Sequence, residues 1–219
     1  MRIIYKLASR QRPHKCIKAI ENIQHYAQHD DYFILVTADI DDVSMFNKEV
    51  NAKLNSYPNV AVLYGTSTDK INAINRDMAL YTDWDILINM SDDMEFIMYG
   101  FDKQIISDFN SFRTLDLLLH YPDQKAWFAM CTMAIMGRQY YERFGYIYNP
   151  VYKSLFCDNE QMEVAKMLGR YKYIKKRLFN HNNPMHGLAE KDELFLRNNA
   201  LHKQDKETFE KRKQEKFVL

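Results

Sequence analysis

Residues 87–96 read "LINMSDDMEF", an apolar run that ends in Ser91-Asp92-Asp93 and turns apolar again at Phe96. The run Ile86 to Ile88 has the look of a buried strand, and a buried strand should not end in two adjacent carboxylates. The charges repel, and desolvating them is costly unless a cation or hydrogen bonds compensate. A divalent cation on a diphosphate is one compensation, since Mg²⁺ commonly takes one or two carboxylates plus phosphate oxygens. A solvated loop or a helix N-terminus is the other, because both also favour acids.

Outward from this stretch the first half alternates strands and helices. Arg2 to Leu7 reads as a strand, and Pro13 suits the first turn of a helix running to about Gln28, with Cys16, Ile20, Ile23 and Ala27 on one face. "DYFILVTAD" is an apolar run bounded by acids, the pattern of a strand buried on both faces. "VSMFNKEVNAKLNSYP" reads as a helix with Val43, Phe46, Val50 and Leu54 as its stripe, "NVAVLYG" as a strand, and "DKINAINRDMALYT" as a helix leading into the strand Asp85 to Met90. Repeated strand–helix units predict an α/β fold with a mostly parallel central sheet and helices on both faces. Ligands in such sheets lie beyond the carboxyl ends of the strands, where Asp39, Thr66 to Thr68 and Ser91 to Asp93 all fall.

Composition narrows the function classes. With 30 Lys and Arg against 29 Asp and Glu, nothing global points to nucleic acid or to a membrane. Three scattered cysteines favour free thiols and a reducing compartment. No stretch approaches a transmembrane span, so the expectation is a cytoplasmic protein. In the second half "GFDKQIISDFN" suits a short helix, "LDLLLHYPD" a strand and "KAWFAMCTMAIMG" a further apolar stretch. A helix is expected over Arg138 to Phe144, another over Glu160 to Leu168 stopped by Gly169, and a last strand in "YKYIKKRLF". A single domain is expected over residues 1–200, followed by a charged helix or tail over 201–219.

The order of these features resembles the family 2-like glycosyltransferases of the GT-A fold. The carrying residues are the Pro-preceded turn "KLASRQRP", the acid Asp39 in "VTAD", "DKINAINR" after the third strand, and the acid cluster "MSDD" after the fourth. The resemblance implies a hexosyltransferase-type enzyme that moves a sugar from a nucleoside diphosphate sugar, a UDP-sugar favoured, to a sugar or glycan hydroxyl, with inversion. It places Ala8, Ser9, Arg10, Asp39, Lys70, Arg76 and Asp92 at the nucleotide. Asp93 becomes a ligand of a divalent cation, Mn²⁺ or Mg²⁺, and Ser91 stands where the first acid of such clusters is usual.

Further matches follow in the second half. "MAIMGRQYYERFGYI" looks like the family's acceptor-side segment, and Asp158 in "CDNEQMEVAKMLGRY" lies where the family has a catalytic Asp before a helix-ending Gly. Cys157 replaces the usual preceding Glu. "FNHNNPMHG" resembles the late loop whose His completes the metal site, with His181 the better match and His186 the alternative. Attack by a hydroxyl needs a proton acceptor, and a carboxylate can be that general base. Asp158 follows the apolar "SLF", where burial would raise its pKa, and Glu160 could do the same work. "DNE" also suits a plain helix start with Asp158 as N-cap.

Three other readings stay open. "ILVTADIDDV" satisfies the DxDxV pattern of aspartate-nucleophile phosphatases of the haloacid dehalogenase type, with Asp39 as nucleophile and Asp41 as acid/base. That family carries its nucleophile on the first strand, whereas a complete strand–helix unit precedes Asp39 here. A sugar nucleotidyltransferase would need a Gly-rich loop after the first strand, and "LASRQRP" has no Gly. A non-catalytic nucleotide-sugar-binding module fits the departures at Ser91 and Cys157. The aromatic cluster around Tyr140 to Tyr152 reads as packing. The basic run "RYKYIKKR" reads as a solvated edge or a peripheral membrane contact.

Overall fold

A computed structural model describes residues 1–126 and 129–218, with His186 described in its backbone alone. The first half folds as the pattern predicts. Strand β1 (Ile3–Ala8), helix α1 (Pro13–Tyr26), β2 (Tyr32–Asp39), α2 (Lys48–Asn55), β3 (Val60–Gly65), α3 (Lys70–Asn75) and β4 (Ile86–Met90) follow in order. Then come β5 (Met94–Phe96), α4 (Phe101–Phe112), β6 (Leu118–His120), β7 (Ala134–Gly137), α5 (Arg138–Glu142), α6 (Cys157–Met167), β8 (Tyr171–Tyr173), β9 (Phe179–His181), α7 (Glu193–Asn199) and α8 (His202–Gln214).

Seven strands form one sheet in the order β3-β2-β1-β4-β7-β6-β8. Strands β1 to β4 are mutually parallel, and β7 runs antiparallel to both β4 and β6. Alternating residues feed two cores. Ile3, Tyr5, Leu7, Ile86 and Ile88 pack with α1 and α4 on one face, and Ile4, Leu35 and Leu87 with α3 and α6 on the other. Burial on both faces explains why these strands read as continuous apolar runs. Strand order reverses about β1, between β2 on one side and β4 on the other. The crevice for a ligand therefore lies beyond the ends of β1 and β4.

Several boundaries differ from expectation, each for a visible reason. Helix α2 begins at Lys48, not Val43, because Asn47 caps it by accepting Val50 N–H at 3.0 Å, while Val43 is 81% exposed. Helix α3 stops at Asn75: Arg76 is extended (ψ 149°) and Asp77 is left-handed (φ 74°). Helix α6 starts at Cys157, three residues early. "YKYIKKRLF" splits into β8, which pairs with β6, and β9, which pairs with β5 in a separate two-stranded sheet. The exposed Lys175, Lys176 and Arg177 form the connection between them, and sequence periodicity signalled neither β5 nor α7. Among the described residues no helix is long and apolar enough to cross a membrane.

Candidate active site

The carboxyl ends of β1, β2 and β4 open into a cleft of about 590 Å³. Its floor spans the reversal in strand order. Ser9, just past β1, donates through Oγ to Asp92 Oδ2 at 2.7 Å, tying the ends of β1 and β4 together. Arg12, in the turn before α1, reaches the other Asp92 oxygen at 3.1 Å and grips Asp192 with two bonds of 2.7 and 2.6 Å. Asp192 is the N-cap of α7, so one guanidinium joins the end of β4 to the helix that lines the mouth of the cleft with Leu194 and Phe195. Desolvation, with Asp93 adding to it, still raises the Asp92 carboxyl against the pull of Arg12 and Ser9.

Asp93 is placed differently. Residue Met94 of β5 stands opposite His181 of β9, and this register sets His181 beside Asp93 across a long sequence gap. His181 Nε2 lies 3.4 Å from Asp93 Oδ1, and His181 Nδ1 lies 3.8 Å from Asp123. Burial opposes ionisation of both partners, yet the contacts win. His181 is raised to about 9 by Asp123 and Asp93, and Asp93 is held below the usual carboxylate range by His181. Among the described residues Asp93 Oδ1, buried and paired with His181, receives no well-formed hydrogen bond. An orphaned carboxylate oxygen facing an imidazole nitrogen fits a divalent cation that takes its remaining ligands from phosphate. Among the described residues no group of three or more His, Cys, Asp or Glu gathers to hold a metal unaided.

Asp158 lies across the cleft as the second residue of α6. The helix is capped by Phe156 in a left-handed conformation (φ 62°) with no side-chain cap bond, so the N-cap reading of Asp158 does not hold. Among the described residues no other side chain bonds the carboxylate, which accepts the neighbouring Asn159 N–H at 3.0 Å. Desolvation raises its pKa, against the pull of Lys70, the helix-terminal amides and His181. Lys70, the first residue of α3, also lowers Asp93, so its charge acts on both carboxylates. Glu160 does not join this group. Its carboxylate is engaged by Arg212 at 2.7 and 2.9 Å, Tyr152 at 2.7 Å and Asn149 at 2.8 Å, in the wall of a separate cavity.

The end of β2 supplies a third cluster. Arg10 reaches Asp39 at 2.8 Å and Asp41 at 2.6 and 2.8 Å, while Arg76 holds the other Asp39 oxygen at 3.2 Å. Ala8, Ser9, Arg10, Asp39, Lys70, Asp92, Asp93, Asp158 and His181 all line the cleft. Arg76 is instead a brace, donating to Ser67 Oγ and the Ala38 carbonyl, each at 2.8 Å. Beneath it lies a group that the sequence reading passed over. Lys6 of β1 is fully buried, bonded to Thr37 Oγ1 and, at 2.7 Å, to the Arg76 carbonyl. Desolvation lowers its pKa to about 7. A lysine inside an apolar strand was the available signal. The signal for Arg12 was a cation in a strand-end turn of a chain whose fourth strand ends in acids. The side chain of His186 lies outside the described residues.

No protein-family model matches the sequence, and no curated protein matches it. Solved structures do. The mannosyltransferase PcManGT of Pyrobaculum calidifontis, solved with GDP-Man and Mn²⁺, superposes with a TM-score of 0.63 over 80% of this chain and 55% of its own, at 13% identity. S. aureus TarS 1–349 gives 0.65 over 86% and 63%, at 11% identity. The same TarS fragment with UDP-GlcNAc gives 0.66 over 89% and 60%, also at 11%. The fold is thus that of GT-A glycosyltransferases. The chain spans about three-fifths of the length of the structures it matches.

Proposed function

We propose that the chain is a family 2-like, hexosyltransferase-type glycosyltransferase that takes a nucleoside diphosphate sugar, a UDP-sugar favoured, and passes the sugar to a hydroxyl acceptor with inversion. One observation carries this reading: a single cleft at the reversal in strand order gathers an orphaned Asp93 oxygen facing His181 on one wall and a desolvated Asp158 on the other. Asp93 and His181 would hold the divalent cation, which when bound neutralises charge on the departing diphosphate. Ala8, Ser9, Arg10 and Asp39 line the nucleotide end, and Lys70 adds positive charge beside the phosphates. Asp92, closed off by Arg12 and Ser9, keeps the strand ends together and leaves Asp93 as the partner of the pair with an oxygen free of hydrogen bonds.

The acceptor hydroxyl attacks the anomeric carbon as the bond to the diphosphate oxygen breaks, and its proton passes to an Asp158 oxygen. A carboxylate with its pKa raised by burial is a better acceptor for that proton. Asp158→Asn should therefore lower kcat by ~10² to 10⁴ with donor affinity nearly constant. The aspartate-nucleophile alternative loses support because Arg10 and Arg76 occupy both oxygens of Asp39. A screen of nucleoside diphosphate sugars for release of nucleoside diphosphate, with Mn²⁺ and with Mg²⁺, tests the reading. Binding without release by the parent chain in every combination would leave a non-catalytic binding module instead.

A further inference from the structure

Among the described residues no side chain bonds the Asp158 carboxylate, which is met by backbone amides at the helix start, Asn159 N–H at 3.0 Å. Its position is inherited from the loop before it and the helix it begins. Both are gripped by α8, the charged C-terminal segment that looks dispensable in the sequence. Asp205 of α8 is 1% exposed, and its carboxylate accepts three consecutive backbone N–H groups: Lys153 at 3.0 Å, Ser154 at 2.8 Å and Leu155 at 2.8 Å. Charge-assisted bonds of this kind are about twice as strong as neutral ones, and three on one carboxylate fix a loop closely. The next residue, Phe156, is left-handed (φ 62°) without being glycine, a conformation that persists only where the surroundings enforce it. Its ring packs on His202 and Phe209 of α8, at centroid distances of 5.2 and 5.8 Å.

The grip continues on the far side of α6. Arg212 forks onto Glu160, two residues beyond Asp158 and turned away from the cleft. The same loop also ties to α3, through Lys153 Nζ on Asp69 at 3.0 Å and Ile71 N–H on the Lys153 carbonyl at 3.4 Å. We infer that Asp205 and Arg212 are positioning residues: α8 clamps residues 153–160 from both sides and so sets where the Asp158 carboxylate stands relative to the donor. This rests on the transferase reading for its catalytic consequence, though not for the clamp itself. Misplacing a reacting group by about 1 Å costs on the order of 10²-fold in rate.

The test uses the full chain and Asp205→Ala, which removes the acceptor of all three N–H groups, whereas an Asn would keep its amide oxygen on Ser154 and Leu155 and turn only its NH₂ toward Lys153. Amide hydrogen exchange at Ser154 and Leu155 should accelerate about tenfold or more, while the central strands β1, β2 and β4 exchange as in the parent. With a working donor, kcat should fall by about 10- to 100-fold while the Kd for UDP stays within about twofold. Arg212→Lys keeps the charge but loses the fork, so it should move kcat the same way by less, and it serves if Asp205→Ala does not fold. Unchanged exchange at Ser154 and Leu155 would overturn the clamp. So would unchanged kcat despite faster exchange, or kcat and UDP affinity falling together, the mark of general unfolding. A parent chain that turns over no nucleotide sugar would overturn the transferase reading, and the exchange result then decides the clamp alone.

Discussion

Replacing Arg12 by Met should expose how much of the cleft rests on one buried cation. Arg12 is 12% exposed and the Asp92 carboxylate 4%, so the substitution would leave a desolvated charge with only Ser9 Oγ beside it and Asp93 repelling it. Breaking such a pair from one side costs ~3 to 5 kcal/mol. The Asp192 half adds no more than ~1 kcal/mol, since that carboxylate is one-third exposed and screened by water. A loss of this size is a large part of the ~5 to 15 kcal/mol that holds a typical domain together. Urea denaturation with an unchanged m-value would measure it. Adding Asp92→Asn should recover at least ~2 kcal/mol, because the double variant buries no unpaired charge. Helix α7, which has no buried residue of its own, should become easier to cleave by protease once Asp192 is released. A loss under about 1 kcal/mol in Arg12→Met, or strict additivity in the double variant, would refute the reasoning.

The other expectations concern single groups. In calorimetric titration with UDP, Asp93→Ala should abolish the increment in affinity produced by Mn²⁺ and His181→Ala should reduce it; binding equal to the parent in Asp93→Ala would remove that residue from the cation site. Glu160→Gln should lower stability by ~1.5 to 3 kcal/mol, because Arg212 loses its charged partner and keeps an amide oxygen and the Phe217 carbonyl, yet lower kcat far less than Asp158→Asn; the reverse order would exchange their roles. Lys6 gives a pH signature. Its proton is held to about 7 in the folded chain against 10.5 ordinarily, so the unfolded state binds more protons across that interval and stability rises with pH there. Between pH 7 and 9 the parent should gain ~2 to 3 kcal/mol more than Lys6→Met, and parallel curves for the two would show that Lys6 is not the group responsible.

What was legible in the sequence follows from how local each cause is. Ile34 to Ala38 and Ile86 to Met90 read correctly because strands buried on both faces must be apolar at every position. Asp158 and His181 are singled out by their order along the chain, and the fold brings both to the lining of the cleft. Val43 and Phe46 misled because apolar spacing continues the α2 pattern backwards, although a turn pinned by Asp42 on Ser44 and by the Asn47 cap leaves them outside the helix. Glu160 misled because it sits in the first turn of the same helix as Asp158, where only the angle around the axis separates cleft from back wall. The Arg12–Asp192 pair spans 180 residues and the Arg212–Glu160 pair 52, and no local pattern announces either.

The acid pair shows the same division at the smallest scale. Asp92 and Asp93 are neighbours with identical chemistry, and both are desolvated at the end of one strand. Their expected difference arises from the cation that the fold delivers to each. Asp92 receives a guanidinium from the turn after β1, together with a hydroxyl from Ser9, and both oxygens are closed. Asp93 receives an imidazole through the β5–β9 register, which leaves one oxygen without a hydrogen bond. An arginine cannot give up its proton, whereas a histidine can, and its neutral ring is a metal ligand. The first acid is thereby committed to structure, while under the proposed function the second would share a metal ion with its histidine partner.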